Sequence, residues 1–271
     1  MSHFTTCGLI ILLAFASTAL AVDGTVLINQ STITNGLTGC PTGGHFPIII
    51  CQSGSYRLSG NLTVPDVNTG AINITADNVT LDLNGFSLLG PMVCSGSPVT
   101  CTRSSGAPSG TGISSSNANI VVTNGQVKGM GFNGIVLTGP RSRVQNVQAT
   151  NNSNDGIIVA DNSLVSSCSL DSNGGAGITA GGSSVVLTGN LVSHSFVGII
   201  SGKQAALISG NSVVSNGVGI QVACPSLISG NVVSLNADNS QLFDTSGNLV
   251  ADGNLGALGS VSGCVLANNA P

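Results

Sequence analysis

Residues 156–220 read GIIVADNSLVSSCSLDSNGGAGITAGGSSVVLTGNLVSHSFVGIISGKQAALISGNSVVSNGVGI. Four Gly-Ile marks punctuate this stretch, at Gly156-Ile157, Gly177-Ile178, Gly198-Ile199 and Gly219-Ile220, and each follows the last by 21 residues. Two more stand upstream at Gly112-Ile113 and Gly134-Ile135, at intervals of 22. Gly70-Ala71-Ile72 reads as an earlier instance, about two intervals below the first. A repeat of this length cannot hold a strand, an ordinary helix and two turns, but it does hold three strands of four or five residues. Stacked at the spacing of paired strands, about 4.8 Å, such units make an all-β solenoid, a parallel β-helix with three short strands per coil.

Other columns keep the same beat. An apolar group follows each Ile by seven to nine residues, as in Val185-Val186-Leu187, Leu207-Ile208 and Leu227-Ile228. Asn then comes at Asn124, Asn146, Asn190, Asn211 and Asn231, and a second polar column runs through Asn152, Asn173, His194, Asn216 and Asn236. Asn suits such turns, because it tolerates the left-handed conformation and its amide can bond to the next coil. Alternation sends Ile157 and Val159 inward and Ile158 and Ala160 outward. A leucine-rich repeat has a similar period, but it requires a Leu-x-x-Leu-x-Leu frame where these coils carry Val and Ile.

Composition agrees. Gly numbers 38, charged residues are only 6% and hydrophobic residues 41%, and all ten acidic residues are Asp. A helical protein needs Glu, Lys and Arg to cover its solvated faces, whereas this supply suits short strands and tight turns. The net charge of −4 is small and spread out. No basic stripe is present, which speaks against nucleic acid as a partner.

Residues 1–21 read as a signal peptide. The run Leu9–Ala16 has h-region length, and Ala19-Leu20-Ala21 gives a small-x-small cleavage pattern. The run is too short to span a bilayer, and no later segment is apolar enough to do so. A secreted or cell-surface location, extracellular or periplasmic, follows as the expectation. Residues 22–60 are expected to cap the stack and lead into its first coil, with the apolar segment Phe46–Ile50. Residues 61–239 should form the coils, with a Pro/Ser/Gly-rich loop extruded at 90–110, and 240–271 a degenerate last coil and C-terminal cap. Cys40 and Cys51 flank one loop and Cys94 and Cys101 close another, so two local disulfides are expected. Cys168, Cys224 and Cys264 have no assigned partner, and Cys7 leaves with the signal.

The Gly-Ile coils and Asn columns resemble the right-handed parallel β-helix repeat proteins of the pectin-lyase-like superfamily. The segment Ser53–Leu62, continuing through Ile74–Phe86, is similar to the opening segment of bacterial secreted members. The likeness covers about residues 50 to 240 and implies a right-handed solenoid. It leaves function open, since that superfamily includes lyases, hydrolases, epimerases, adhesins and members without an assigned activity.

The sequence offers little chemistry. Glycan hydrolysis uses paired carboxylates, and a lyase needs a base with a cation or metal to stabilise the anion formed. The outward positions of the first strand, from Val136 and Thr138 to Gln221 and Ala223, carry no charge. The ten Asp are scattered, with no cluster for a metal, and no cofactor is implied. Arg141, Arg143, Asp161 and Lys203 fall near one another in the repeat. They read either as a subsite for an anionic sugar or, preferably, as solvated turn charges. Tyr56 and Arg57 read as closing the first coil and His194 as a hydrogen-bonded turn residue. Phe132 and Phe196, which share a column three coils apart, read as core filling in preference to sugar stacking. Three functions follow from this reading. A rigid extracellular scaffold that binds polysaccharide without cleaving it is preferred. A polysaccharide lyase or other carbohydrate-active enzyme is the alternative, and a purely structural or adhesive protein the third.

Overall fold

The computed structural model describes residues 24–41, 44–96, 99–101, 107–243, 249–252, 260–261 and 264–267. The expected signal peptide lies outside these residues. The described chain winds as a parallel β-helix with three walls. The first wall stacks Ile48–Ile50, Ile72–Ile74, Ile113–Ser115, Ile135–Leu137, Ile157–Val159, Ala176–Ala180, Val197–Ser201, Val218–Ala223 and Asp238–Phe243, all in parallel. Ile113, Ile135, Ile157, Ile178, Ile199 and Ile220 lie directly over one another, as the Gly-Ile marks require. Ile48–Ile50 already belongs to this wall, and Thr25–Ile28 pairs in parallel with Gly54–Leu58 in the second.

The second and third walls form one continuous sheet. In two coils a single strand serves both, at Val121–Lys128 and Arg143–Thr150. Higher up they separate, for example into Leu164–Ser166 and Ser169–Asp171, which both pair with Arg143–Thr150. Inward residues such as Ile157, Val159, Val165, Leu170, Val192 and Ile208 are fully buried in one aliphatic core. Ile158 and Ala160 are only partly covered, as alternation predicts. The glycine before each inward Ile has a steric cause. A Cβ on Gly177 would strike the Val192 side chain and the Gly198 carbonyl oxygen, and Gly198 stands in the same relation to Val213 and Gly219.

Most turns carry a left-handed residue, and this corrects the reading of the Asn columns. At the second turn Asn124 and Asn146 take that conformation (φ 59° and 54°) and stay exposed, with Asn146 Nδ2 donating to Asn124 Oδ1 at 3.4 Å. Above them Ser167, Gly189, Gly210 and Gly230 hold the same position. The inward position is one residue later, and Asn190, Asn211 and Asn231 occupy it, buried. Asn124 and Asn146 stand eleven residues after their Ile and Asn190 and Asn211 twelve, but Asn231 is buried at eleven because the first turn is one residue shorter in the coils that start at Ile157 and Ile220. Distance from Ile therefore does not fix the position.

The buried amides form a ladder. Asn211 Oδ1 accepts from the Asn190 backbone N–H and side-chain amide at 3.0 and 2.9 Å, and its Nδ2 donates to the Leu187 carbonyl and Asn231 Oδ1 at 3.0 and 2.9 Å. A parallel ladder at the third turn joins Asn152 to Asn173 and Asn216 to Asn236. Ser195, not His194, stands in that column between them, and His194 takes the left-handed position just before it (φ 47°).

Three disulfides close within the described chain. Cys40–Cys51 and Cys94–Cys101 are the two expected, and Cys224–Cys264 ties the first turn of a late coil to the C-terminal strand Cys264–Ala267. Cys168 is a buried free thiol, pushed up to about 11 by burial, and so stays protonated at neutral pH as a small core residue.

Truncating Asn211 would leave two buried donors of Asn190 without an acceptor, at about 1–3 kcal/mol each. Asn211→Ala is therefore expected to lower unfolding stability by about 2–4 kcal/mol. Asn146→Ala, on the exposed left-handed position, should cost about 1 kcal/mol. Denaturant unfolding of both variants checks the contrast.

Candidate functional site

The four charges singled out from the sequence do not converge. Arg141 sits at a left-handed first-turn position (φ 60°), where its Nε donates to Asn119 Oδ1 at 2.9 Å. Asp161 Oδ1 accepts the Ser183 backbone N–H at 2.7 Å, an ordinary turn bond. Lys203 lies on the first turn three coils above Arg141, about 14 Å away at strand spacing. Arg143 points out from the second wall between Val121 and Leu164. All four are exposed, and no ion pair joins them among the described residues. Tyr56 is buried with its hydroxyl donating to the Gln52 carbonyl at 2.8 Å, and Arg57 pairs with Asp82 at 3.3 Å on the surface.

The third turn gathers more. Its left-handed positions stack Asn151, Ser172, His194, Ser215 and Leu235, and one residue earlier lie Thr150, Asp171, Ser193, Val214 and Ser234. Asp171 thus lies below Ser193 and beside His194. Its Oδ1 accepts from Ser193 Oγ at 2.7 Å and contacts His194 Nδ1 at 2.8 Å, while Oδ2 accepts from Ser172 Oγ at 2.8 Å. Burial pushes the Asp171 carboxyl up. The hydrogen bonds from His194, Ser193 and Ser172, with the attraction of the imidazolium, outweigh it and hold the group below the usual carboxylate range. A carboxylate at Nδ1 places the proton there in the neutral ring, which leaves Nε2 as an acceptor.

A disulfide-closed hairpin flanks this column. Gly90 and Met92 bond to the Lys128 and Gly129 carbonyls, both at 2.8 Å, and start the segment up the third-turn side. Cys94–Ser95 and Thr100–Cys101 then pair antiparallel. Cys94 N–H donates to Asn151 Oδ1 at 3.3 Å, and both hairpin sulfurs lie against the Asn152 carbonyl at 3.6 and 3.7 Å. Gly174 leaves room for the Cys101 sulfur, which a Cβ there would meet at 2.8 Å. The hairpin tip, at Gly96 and Val99, faces His194, Ser215 and Leu235 across a cleft of about 510 Å³.

Two aromatic side chains stand on the same side. Phe132 and Phe196 are 42% and 61% exposed, so the expectation of core filling is corrected. Both follow the buried third-turn position, and the residues after them, Asn133 and Val197, are the ones buried. They lie three coils apart, about 14 Å along the stack. No cluster of three or more His, Cys or Asp able to hold a metal occurs among the described residues.

The period alone could have exposed the Asp171–His194 contact, because stacking residue 171 under 193 puts the two side by side. Composition and motif searches pass over it. The docking of the hairpin on this side had no signal in the sequence, since nothing in residues 90–110 states which coils it will meet.

A family model described as a right handed beta helix region matches residues 48–213. Among solved structures, the crystal structure of the Dettilon tailspike protein (gp208) is similar in fold, with a TM-score of 0.51 and 15% identity. The likeness covers 82% of this chain and 60% of that one. No curated protein matches.

The depressed Asp171 carboxyl makes a signed prediction. Its stabilising effect is present above the unfolded-state value, about 3.9, and is lost as pH falls through the lower folded value. Asp171→Asn should therefore lower the unfolding midpoint at pH 5–7, and the gap from wild type should close as the pH falls below about 4. Thermal melts across that range read it.

Proposed function

Because the chain belongs to the right-handed β-helix family, we propose that it is an extracellular scaffold that binds polysaccharide along its third-turn side without cutting the chain. The observation that carries this reading is the cleft beneath the Cys94–Cys101 hairpin, of about 510 Å³, on the same side as the exposed rings of Phe132 and Phe196. A volume of this order is typical of ligand sites. Exposed aromatic faces suit the apolar faces of sugar rings. His194 and Ser215 offer hydrogen-bonding groups to the cleft. A rigid solenoid presents these groups at fixed intervals, so binding orders little of the protein.

An extracellular setting is supported by the three disulfides, which persist in oxidising compartments. No helix among the described residues is long and apolar enough to cross a membrane. Backbone cleavage is disfavoured by the lining of the cleft. None of its described residues is a carboxylate, while glycoside hydrolysis uses two. The alternative, a lyase, needs a cation beside its base. Arg141, Arg143 and Lys203 instead stand at the first turn and second wall.

The test is calorimetric titration of the chain from residue 22 against neutral and anionic polysaccharides, with absorbance of unsaturated ends followed in parallel. Binding is expected, with Phe196→Ala weakening it about tenfold or more and Arg143→Ala leaving it unchanged. Unsaturated products, or loss of binding in Arg143→Ala instead, would replace this reading with the lyase or first-turn subsite. Binding to none of the polysaccharides would favour a purely structural role.

A further inference from the structure

The cleft contains more than a binding surface requires. Asp171, His194 and Ser215 lie on three successive coils, and the strand register fixes their order. Asp171 pairs with Ser193 and Ser193 with Val214, so His194 and Ser215 occupy equivalent positions one coil apart. Both have left-handed backbone, φ 47° and 58°, and sit on the same turn one strand spacing, about 4.8 Å, apart along the stack. Below, Asp171 holds His194 Nδ1 at 2.8 Å and is itself fixed by Ser172 and Ser193. Above, Ser215 lines the cleft beside His194.

We propose that Asp171, His194 and Ser215 form an acyl-transfer triad that hydrolyses carboxylic esters, such as short O-acyl groups on a carbohydrate. A carboxylate, an imidazole and a hydroxyl in this order are the parts such chemistry needs, and they recur on unrelated folds. The carboxylate fixes the imidazole tautomer, so Nε2 is the basic nitrogen. Ser215 Oγ adds to the ester carbonyl carbon as its proton passes to His194 Nε2. The carbonyl then re-forms as the C–O bond to the sugar breaks, and the leaving alkoxide takes the proton from His194. Water, deprotonated by the same nitrogen, attacks the acyl-Ser215 ester and releases the carboxylic acid with free Ser215. No redox partner or metal enters the balance. Val99 on the hairpin and Leu235, 82% exposed one coil above Ser215, supply an apolar lip for a short acyl chain.

The natural substrate, an acylated glycan, rests on the polysaccharide reading above, whereas the triad itself does not. The two are separated by using p-nitrophenyl acetate and a fluorophosphonate probe, neither of which contains sugar. Wild type is expected to turn over p-nitrophenyl acetate and to take up one fluorophosphonate, mapped to Ser215. His194→Ala and Ser215→Ala should each lower kcat/KM at least about 100-fold. Ser184→Ala, a serine at a left-handed first-turn position, should match wild type. Ser215→Ala should keep the fold, because Ala205 already holds this conformation in the protein (φ 62°), and a thermal melt confirms it. Three results would overturn the triad. These are no turnover by wild type, probe attached elsewhere or nowhere, and hydrolysis lost in His194→Ala but kept in Ser215→Ala, which marks imidazole acting alone. Active wild type with no polysaccharide bound would retain the triad and reject the glycan.

Discussion

Each strand of the stacked coils pairs in parallel with its own counterpart one coil away, and that single register rules every other choice. A residue at any position sits on top of another at the same position, about 4.8 Å off, throughout the stack. Side chains must therefore tolerate their own copies. Aliphatic residues do so by packing inward. Buried Asn does so because its amide is both donor and acceptor, so Asn190, Asn211 and Asn231 satisfy one another and the backbone between them. Like charges placed directly opposite repel, which explains why a chain of 271 residues carries charge on only 6% of them.

The same register makes chemistry from distant residues. Asp171 and His194 are 23 positions apart in the chain yet in contact, and Ser215 is brought beside them by one further coil. Such a site needs no loop to assemble it. The wall is rigid, and the variable part is the insertion laid against it. Here the hairpin of Cys94 and Cys101 turns a flat side into a cleft, with Asn151, Asn152 and Gly174 as its footing.

The architecture was legible because it repeats. The glycines at 112, 134, 156, 177 and 198 report one steric fact, the lack of room for a Cβ between the next coil's Gly carbonyl and a side chain of their own coil, Val127, Asn152, Asn173, Val192 or Val213. The Asn columns were legible in kind but not in place. A first turn one residue shorter at Ile157 and Ile220 merges two positions when counted from the marks, so exposed Asn146 and buried Asn231 both stand eleven residues after their Ile. His194 was misplaced in the same way, and Ser195 holds the buried position it seemed to fill. Phe132 and Phe196 were misread because aromatic residues usually fill cores, whereas this core is narrow and aliphatic. The charges Arg141, Arg143, Asp161 and Lys203 stood out because charge is scarce here, and scarcity is not convergence.

The register itself can be probed by cross-linking cysteines placed on consecutive coils. Thr188 and Ser209 are paired positions on the outer face of the second wall, with their hydroxyls 3.4 Å apart. With Cys168 replaced by Ala, the double variant Thr188→Cys and Ser209→Cys should form a bridge within one chain on mild oxidation. The control Thr188→Cys with Ile208→Cys, one residue off, should not, since a slip of one turns the side chain into the core. Bridging in the control, or in neither, would contradict the stacked register from which the fold and the site are both built.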